Sequence, residues 1–149
     1  MKKISSLLIV IVGLLFLTGC NKTTKCTLEI DQGNYKVNSE YAVTYDKNKN
    51  VVKVNTKEVV TSSDEAVLDQ FEETIKEQYA PYSNIKHYNF SINRKKGELT
   101  EKISVNYKKL DVDKFISIDE SAASMFDNGN IKYDRIISIY KMLGAKCEE

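Results

Sequence analysis

Histidine is almost missing from this chain: His87 stands alone, beside one proline, no tryptophan and three cysteines. A Ser-His-Asp or Cys-His site needs an imidazole next to its nucleophile, so His87 would have to serve any such site. Strand alternation sets it among Asn89 and Ser91 on a polar face, the ordinary setting of a solvated side chain. The thiols and one imidazole do not form a zinc ligand set of recognisable spacing. No Cys-x-x-Cys exists to lower a thiol pKa, and no glycine-rich loop exists to cradle a phosphate. Asp111, Asp113, Asp119 and Glu120 cluster, yet they lack the glycine, the twelve-residue frame and the closing glutamate of a calcium loop. A surplus of one charge is lacking too, with 22 basic residues against 21 acidic. Nucleic-acid partners normally require a concentrated basic footprint. The expectation is a protein with no metal, no cofactor, no nucleic-acid partner and no catalytic residue.

Long apolar runs are also lacking. The longest, Leu7 to Leu17, is far short of the ~20 residues that span a bilayer. It follows Met1-Lys2-Lys3 and ends in Leu17-Thr18-Gly19-Cys20, which together describe an export signal. That ending resembles the lipobox of bacterial lipoproteins; the alternative is an ordinary signal with a chance cysteine. The resemblance implies that Cys20 is lipidated with a diacylglycerol thioether and becomes the new N-terminus. Residues 1–19 are then a lipoprotein signal peptide, 20–25 a lipidated spacer and 26–149 a single domain. The expected location is the bacterial cell membrane, lipid-anchored and facing outside the cytoplasm. Without Lys2 and Lys3 the charges nearly cancel and no polybasic run remains, so attachment is expected to rest on the lipid and not on charge.

With Cys20 assigned, Cys26 and Cys147 remain, near the two ends of the domain. An even pair left over in an exported protein is most simply a disulfide, here a structural staple.

From Cys26 the hydrophobic period is two. Cys26, Leu28 and Ile30 alternate with Thr27, Glu29 and Asp31, and a turn follows at Gln32-Gly33-Asn34. Tyr35, Val37, Tyr41, Val43 and Tyr45 share one face of a second strand, interrupted by Ser39. Asp46 to Asn50 forms a hairpin loop. A third strand runs to Thr61 with Val52, Val54 and Val60 inward, and Glu58 on that same face. Ser62-Ser63-Asp64-Glu65 reads as a capping box opening a helix with Val67, Leu68, Phe71, Ile75, Gln78 and Tyr79 on its stripe. Pro81 ends it. A strand hairpin then sets Tyr88, Phe90 and Ile92 beside Leu99, Ile103, Val105 and Tyr107 on one face. A short helical turn over Asp113 to Ile118 leads to a loop at Asp127 to Asn130. The closing helix carries Tyr133, Ile136, Ile137, Tyr140 and Leu143, with Gly144 as its C-cap.

Several short motifs carry a family resemblance: the Tyr-x-Val-Thr-Tyr strand at Tyr41 to Tyr45, Gln78-Tyr79 leading to Ile85-Lys86-His87, Val105-Asn106-Tyr107 before Leu110-Asp111, and Leu143-Gly144-Ala145-Lys146-Cys147. With the lipobox and the element order, they resemble the YehR-type family of small bacterial lipoproteins. The resemblance implies an anchored extracytoplasmic α+β domain of unknown biochemical function, with no catalytic residue to carry over.

The expected fold is therefore α+β and two-layered, a mostly antiparallel sheet of about five strands with two main helices on one face. Antiparallel sheets often leave the other face in water. Here that face would carry Asn38, Asn55, His87, Asn89 and Asn106, amides and an imidazole that suit polar ligands. Two functions follow from different classes. One is a monomeric, non-enzymatic binding or accessory module of the envelope, with a protein, peptide or glycan partner. The other is a small envelope hydrolase acting on cell-surface material.

Overall fold

The protein is described by a computed structural model covering residues 21–148; residues 1–20, where a signal segment and the lipidated Cys20 are expected, and Glu149 lie outside the described residues. Its frame is a six-stranded antiparallel sheet. The strands are β1 (Lys22–Asp31), β2 (Lys36–Tyr45), β3 (Val51–Thr61), β4 (Tyr88–Lys95), β5 (Glu98–Asn106) and β8 (Lys146–Glu148), in spatial order β4-β5-β3-β2-β1-β8. The helices are α1 (Glu65–Tyr79), the short α2 (Val112–Ile118) and α3 (Tyr133–Met142). A two-stranded hairpin of β6 (Phe126–Asp127) and β7 (Asn130–Ile131) precedes α3. The α+β expectation holds, with one strand more than expected.

Inward side chains alternate along each strand and meet the helices in separate clusters. Val37, Val60 and Leu99 pack with Leu68 and Ile75 of α1. Cys26, Val43, Tyr45, Val51 and Val54 pack with Tyr133, Ile136 and Ile137 of α3. A third cluster, of Ile85, Val105 and Leu110, gathers Tyr82, Tyr88 and Phe115 around it. Tyr41 stacks on Tyr140, with ring centroids 4.2 Å apart.

Several expectations change. Of the residues read as spacer, 22–25 are strand: β1 begins at Lys22 and pairs with β2 from Lys22↔Tyr45 onward. Thr24 fits an interior position there because its hydroxyl hydrogen-bonds the Tyr133 hydroxyl at 2.8 Å. In β3, Val51 is buried in place of Val52, because a bulge at Thr44/Tyr45 lets Tyr45 face Val51. Ser62 does not cap α1. Asp64 does, accepting from the Ala66 amide at 3.0 Å, while the Ser62 hydroxyl donates to the Asn34 carbonyl at 2.7 Å. Gln78 is exposed, and Leu143, expected on the buried stripe of the last helix, is 60% exposed. The chain turns at Gly144, φ +94°, and enters β8 instead of continuing the helix.

The staple is formed. Cys26 and Cys147 are direct partners in the β1–β8 pair, with sulfurs 2.02 Å apart.

Candidate functional site

With the packed helices on one side of the sheet, the other side carries the polar half of each strand. Cross-strand pairing lines these side chains up in rows. Ser91, Lys102, Lys57, Glu40 and Thr27 form one row across β4, β5, β3, β2 and β1. Asn89, Ser104, Asn55, Ala42 and Lys25 form the next. Together they line a hollow of about 400 Å³ across the middle of the sheet. Ala42, Ser91 and Ser104 are short, so the floor is open, while the longer lysines stand around it. Lys25, Lys57 and Lys102 face a single carboxylate, Glu40, whose oxygen lies 4.0 Å from the Lys57 amine. The surface exposed inside the hollow is mostly carbon, with the Cys26, Tyr41, Thr56, Phe90 and Ile103 positions between the two rows, and the amides, hydroxyls and three lysines are polar groups set into that lining.

Of the five residues expected on this face, Asn55 and Asn89 line the hollow. Asn38 lies beside a smaller depression with Thr27, Glu29 and Lys146. Asn106 is half-buried, and its side-chain oxygen has no hydrogen-bond partner. His87 is not part of β4. It occupies the turn before it, exposed, at φ +68°, with its carbonyl accepting from the Asn106 amide at 3.0 Å.

The inner face holds a second polar feature, of which strand alternation places only Glu58. Glu58 and Glu101 are direct partners across β3 and β5, and both point between the helical clusters. Ser39, next along the row, donates to Glu58 at 2.9 Å. Glu101 is only 6% exposed, and its Oε1 has no partner. Burial, helped by the neighbouring Glu58 charge, pushes its pKa up to about 7, while the Tyr79 hydroxyl pulls the other way. The Tyr79 phenol is raised in turn by burial and by Glu101. Burial raises Tyr107 to about 12. Among the described residues no group of three or more His, Cys, Asp or Glu could hold a metal ion. The acidic cluster of the sequence serves helix ends: Asp111 caps α2, accepting the Lys114 amide at 3.1 Å, and Asp119 accepts the Ser121 amide at 3.0 Å.

No protein-family model and no curated protein matches the chain. Two solved structures do. The NMR structure of Escherichia coli YehR superposes with a TM-score of 0.54 at 15% identity, covering 85% of this chain and 91% of that one. The fold is YehR-like. The NMR structure of a protein from Streptococcus pneumoniae TIGR4 gives a TM-score of 0.55 at 18% identity, covering 88% and 87%. At these identities the likeness is one of fold, and it extends over nearly the whole described domain. No helix among the described residues is long and apolar enough to cross a membrane.

Proposed function

We propose that this YehR-like domain is a non-enzymatic binding module, carried on the outer side of a bacterial membrane by a lipid on Cys20, with its ligand seat on the uncovered face of the sheet. The observation that carries the binding role is the hollow across five strands, where side-chain amides, hydroxyls and three lysines converge without a helix above them. An anionic glycan fits this chemistry. Asn55, Asn89, Ser91 and Ser104 can donate and accept toward hydroxyls, and Lys25, Lys57 and Lys102 answer carboxylates or phosphates. A peptide backbone would find its complement at a sheet edge and not on a face. The membrane reading rests on the Lys-Lys start, the short apolar run and the Leu-Thr-Gly-Cys motif.

Titrating the labelled protein with anionic cell-wall polysaccharide, followed by amide and side-chain NMR shifts, tests the seat. Shifts should centre on Asn55, Lys57, Asn89 and Lys102, and Lys57→Ala with Lys102→Ala should weaken binding at least tenfold. Shifts confined to the helical side, or no shift with any anionic glycan, overturn it.

The enzyme reading draws on one observation, the opposed Glu58 and Glu101, since a carboxyl with a raised pKa is a common general acid. Against it, Glu101 is enclosed, and His87 lies five residues along the strand direction, about 16 Å away at the usual rise. Glycan hydrolysis that is lost in Glu101→Gln would favour the enzyme over the binding module.

A further inference from the structure

Lysines scattered along the sequence converge at one end of the sheet. Lys22 opens β1 opposite Tyr45, the last residue of β2. The β2–β3 loop follows, carrying Lys47 and Lys49. Lys108 reaches the same end through its amide, which donates to the Val52 carbonyl at 3.4 Å, and Lys109 adjoins it. Lys132 arrives from the β7–α3 junction as the bridge partner of Asn50, with its amine 2.6 Å from the Asn50 side-chain oxygen. All six side chains are exposed.

The loops that present them are held firmly. Lys49 adopts φ +59°, its carbonyl accepts the Tyr133 amide at 2.9 Å, and its amine sits 4.6 and 4.4 Å from the Tyr45 and Tyr133 ring centres. Asp46, the one acid within these segments, is engaged by the amides of Asn48 and Asn50, both at 2.9 Å. Asp134 in the first turn of α3 is exposed, as are Asp111 beside Lys109, Asp127 in β6 and Glu148, the β8 partner of Lys25. The far end differs in sign. The turns at Asp31 to Tyr35, Thr61 to Glu65 and Lys95 to Glu98 contribute Asp31, Asp64, Glu65 and Glu98 against Lys95 and Lys96. The turns of the far end thus hold more acids than bases, whereas six exposed lysines gather at the near tip.

The geometry points to a membrane-docking end: the lysine-rich tip of the sheet rests on the anionic phospholipid headgroups of the bilayer that holds the Cys20 lipid. This rests on the anchored reading given above. One residue, Asn21, separates Cys20 from Lys22, a backbone reach of at most about 7 Å, so a lipid carried on Cys20 would be tethered at the start of β1. The tether therefore leaves from the positive end, and attraction to an anionic surface adds to the acyl chains by roughly fivefold per lysine. The strands then stand up from the bilayer, with the sheet hollow facing sideways and reachable.

Lysine acetylation footprinting of the full protein on vesicles tests it. On phosphatidylglycerol vesicles Lys22, Lys47 and Lys109 should lose at least fivefold in labelling rate, while Lys95 and Lys96 stay unchanged. Molar salt, which shrinks the Debye length to about 3 Å, should restore the labelling. Phosphatidylcholine vesicles should give no protection. Equal labelling on both lipids, protection at both ends, or the same protection from soluble polyphosphate overturns the proposal. Intact mass reads the anchor separately. If the diacylglycerol increment is missing, the anchored reading fails, and cosedimentation of the unacylated chain with phosphatidylglycerol still decides the docking end. There K22Q/K47Q/K109Q should bind roughly a hundredfold more weakly than the parent, at an unchanged melting temperature.

Discussion

Glu101 is an interior carboxyl facing another carboxylate, and folding makes its ionised form costly. Its folded pKa of about 7 lies above the ordinary 4.5, so the folded state holds the proton more tightly than the unfolded chain. The contribution to stability is therefore fully present below pH 4.5 and is lost as pH rises through 7. The loss amounts to roughly 3 kcal/mol, an order of magnitude set by the shift. Glu101→Gln should flatten that part of the pH profile and raise stability at pH 8, measured by urea melts at pH 5 and pH 8. An unchanged profile would mean that Glu101 ionises freely in the folded protein. The sequence displayed half of this feature. Alternation places Glu58 on an apolar face, whereas Leu99, Ile103 and Val105 make the strand around Glu101 read as apolar. Only the β3–β5 register brings the two together. Asn89 is the contrasting residue: exposed on the outer face, its change to alanine should move stability by less than ~0.5 kcal/mol.

At the scale of elements, α1 and β8 show what local pattern can and cannot reveal. The helical stripe of α1 was legible because Leu68 and Ile75 keep helical spacing against the sheet. Leu68→Ala, at a fully enclosed site, should cost about 2–5 kcal/mol in chemical denaturation. A cost below 1 kcal/mol would mean that α1 is only loosely docked. Local sequence does not decide the cap, because Ser62, Ser63 and Asp64 are all competent caps and the deciding contact is Ser62 to the distant Asn34. β8 was not legible at all. Three residues are too few to display a period, and its strand character comes from lying beside β1. The disulfide is what holds it there. Reduction should lower the melting temperature, consistent with about 2–5 kcal/mol for a native staple, and should speed amide exchange in Lys146–Glu148 first. Free thiols at Cys26 and Cys147 in the protein isolated from its native cells would contradict this.

At the scale of the whole molecule, the two-layer design was legible because its strands alternate and its helices do not. The charge distribution was not. Lys22, Lys47, Lys109 and Lys132 are far apart along the chain, and only the antiparallel pairing puts them at one tip. The hollow was half legible in the same way. Asn55 and Asn89 follow from alternation, whereas the central role of Lys57 and Lys102 depends on which strands are neighbours.

The long β1–β2 pairing also has a mechanical meaning. Lys22 to Asp31 is matched residue for residue with Tyr45 to Lys36, and the hydrogen bonds of an antiparallel pair run perpendicular to the strands. A ligand dragged by flow while the N-terminus is held would pull β1 along its own axis. Such a load acts on the whole row of bonds in shear at once, and cannot peel them apart one after another. The disulfide adds a covalent link between the loaded strand and the last one, so the tension is shared with α3 through Gly144 before any strand can slide.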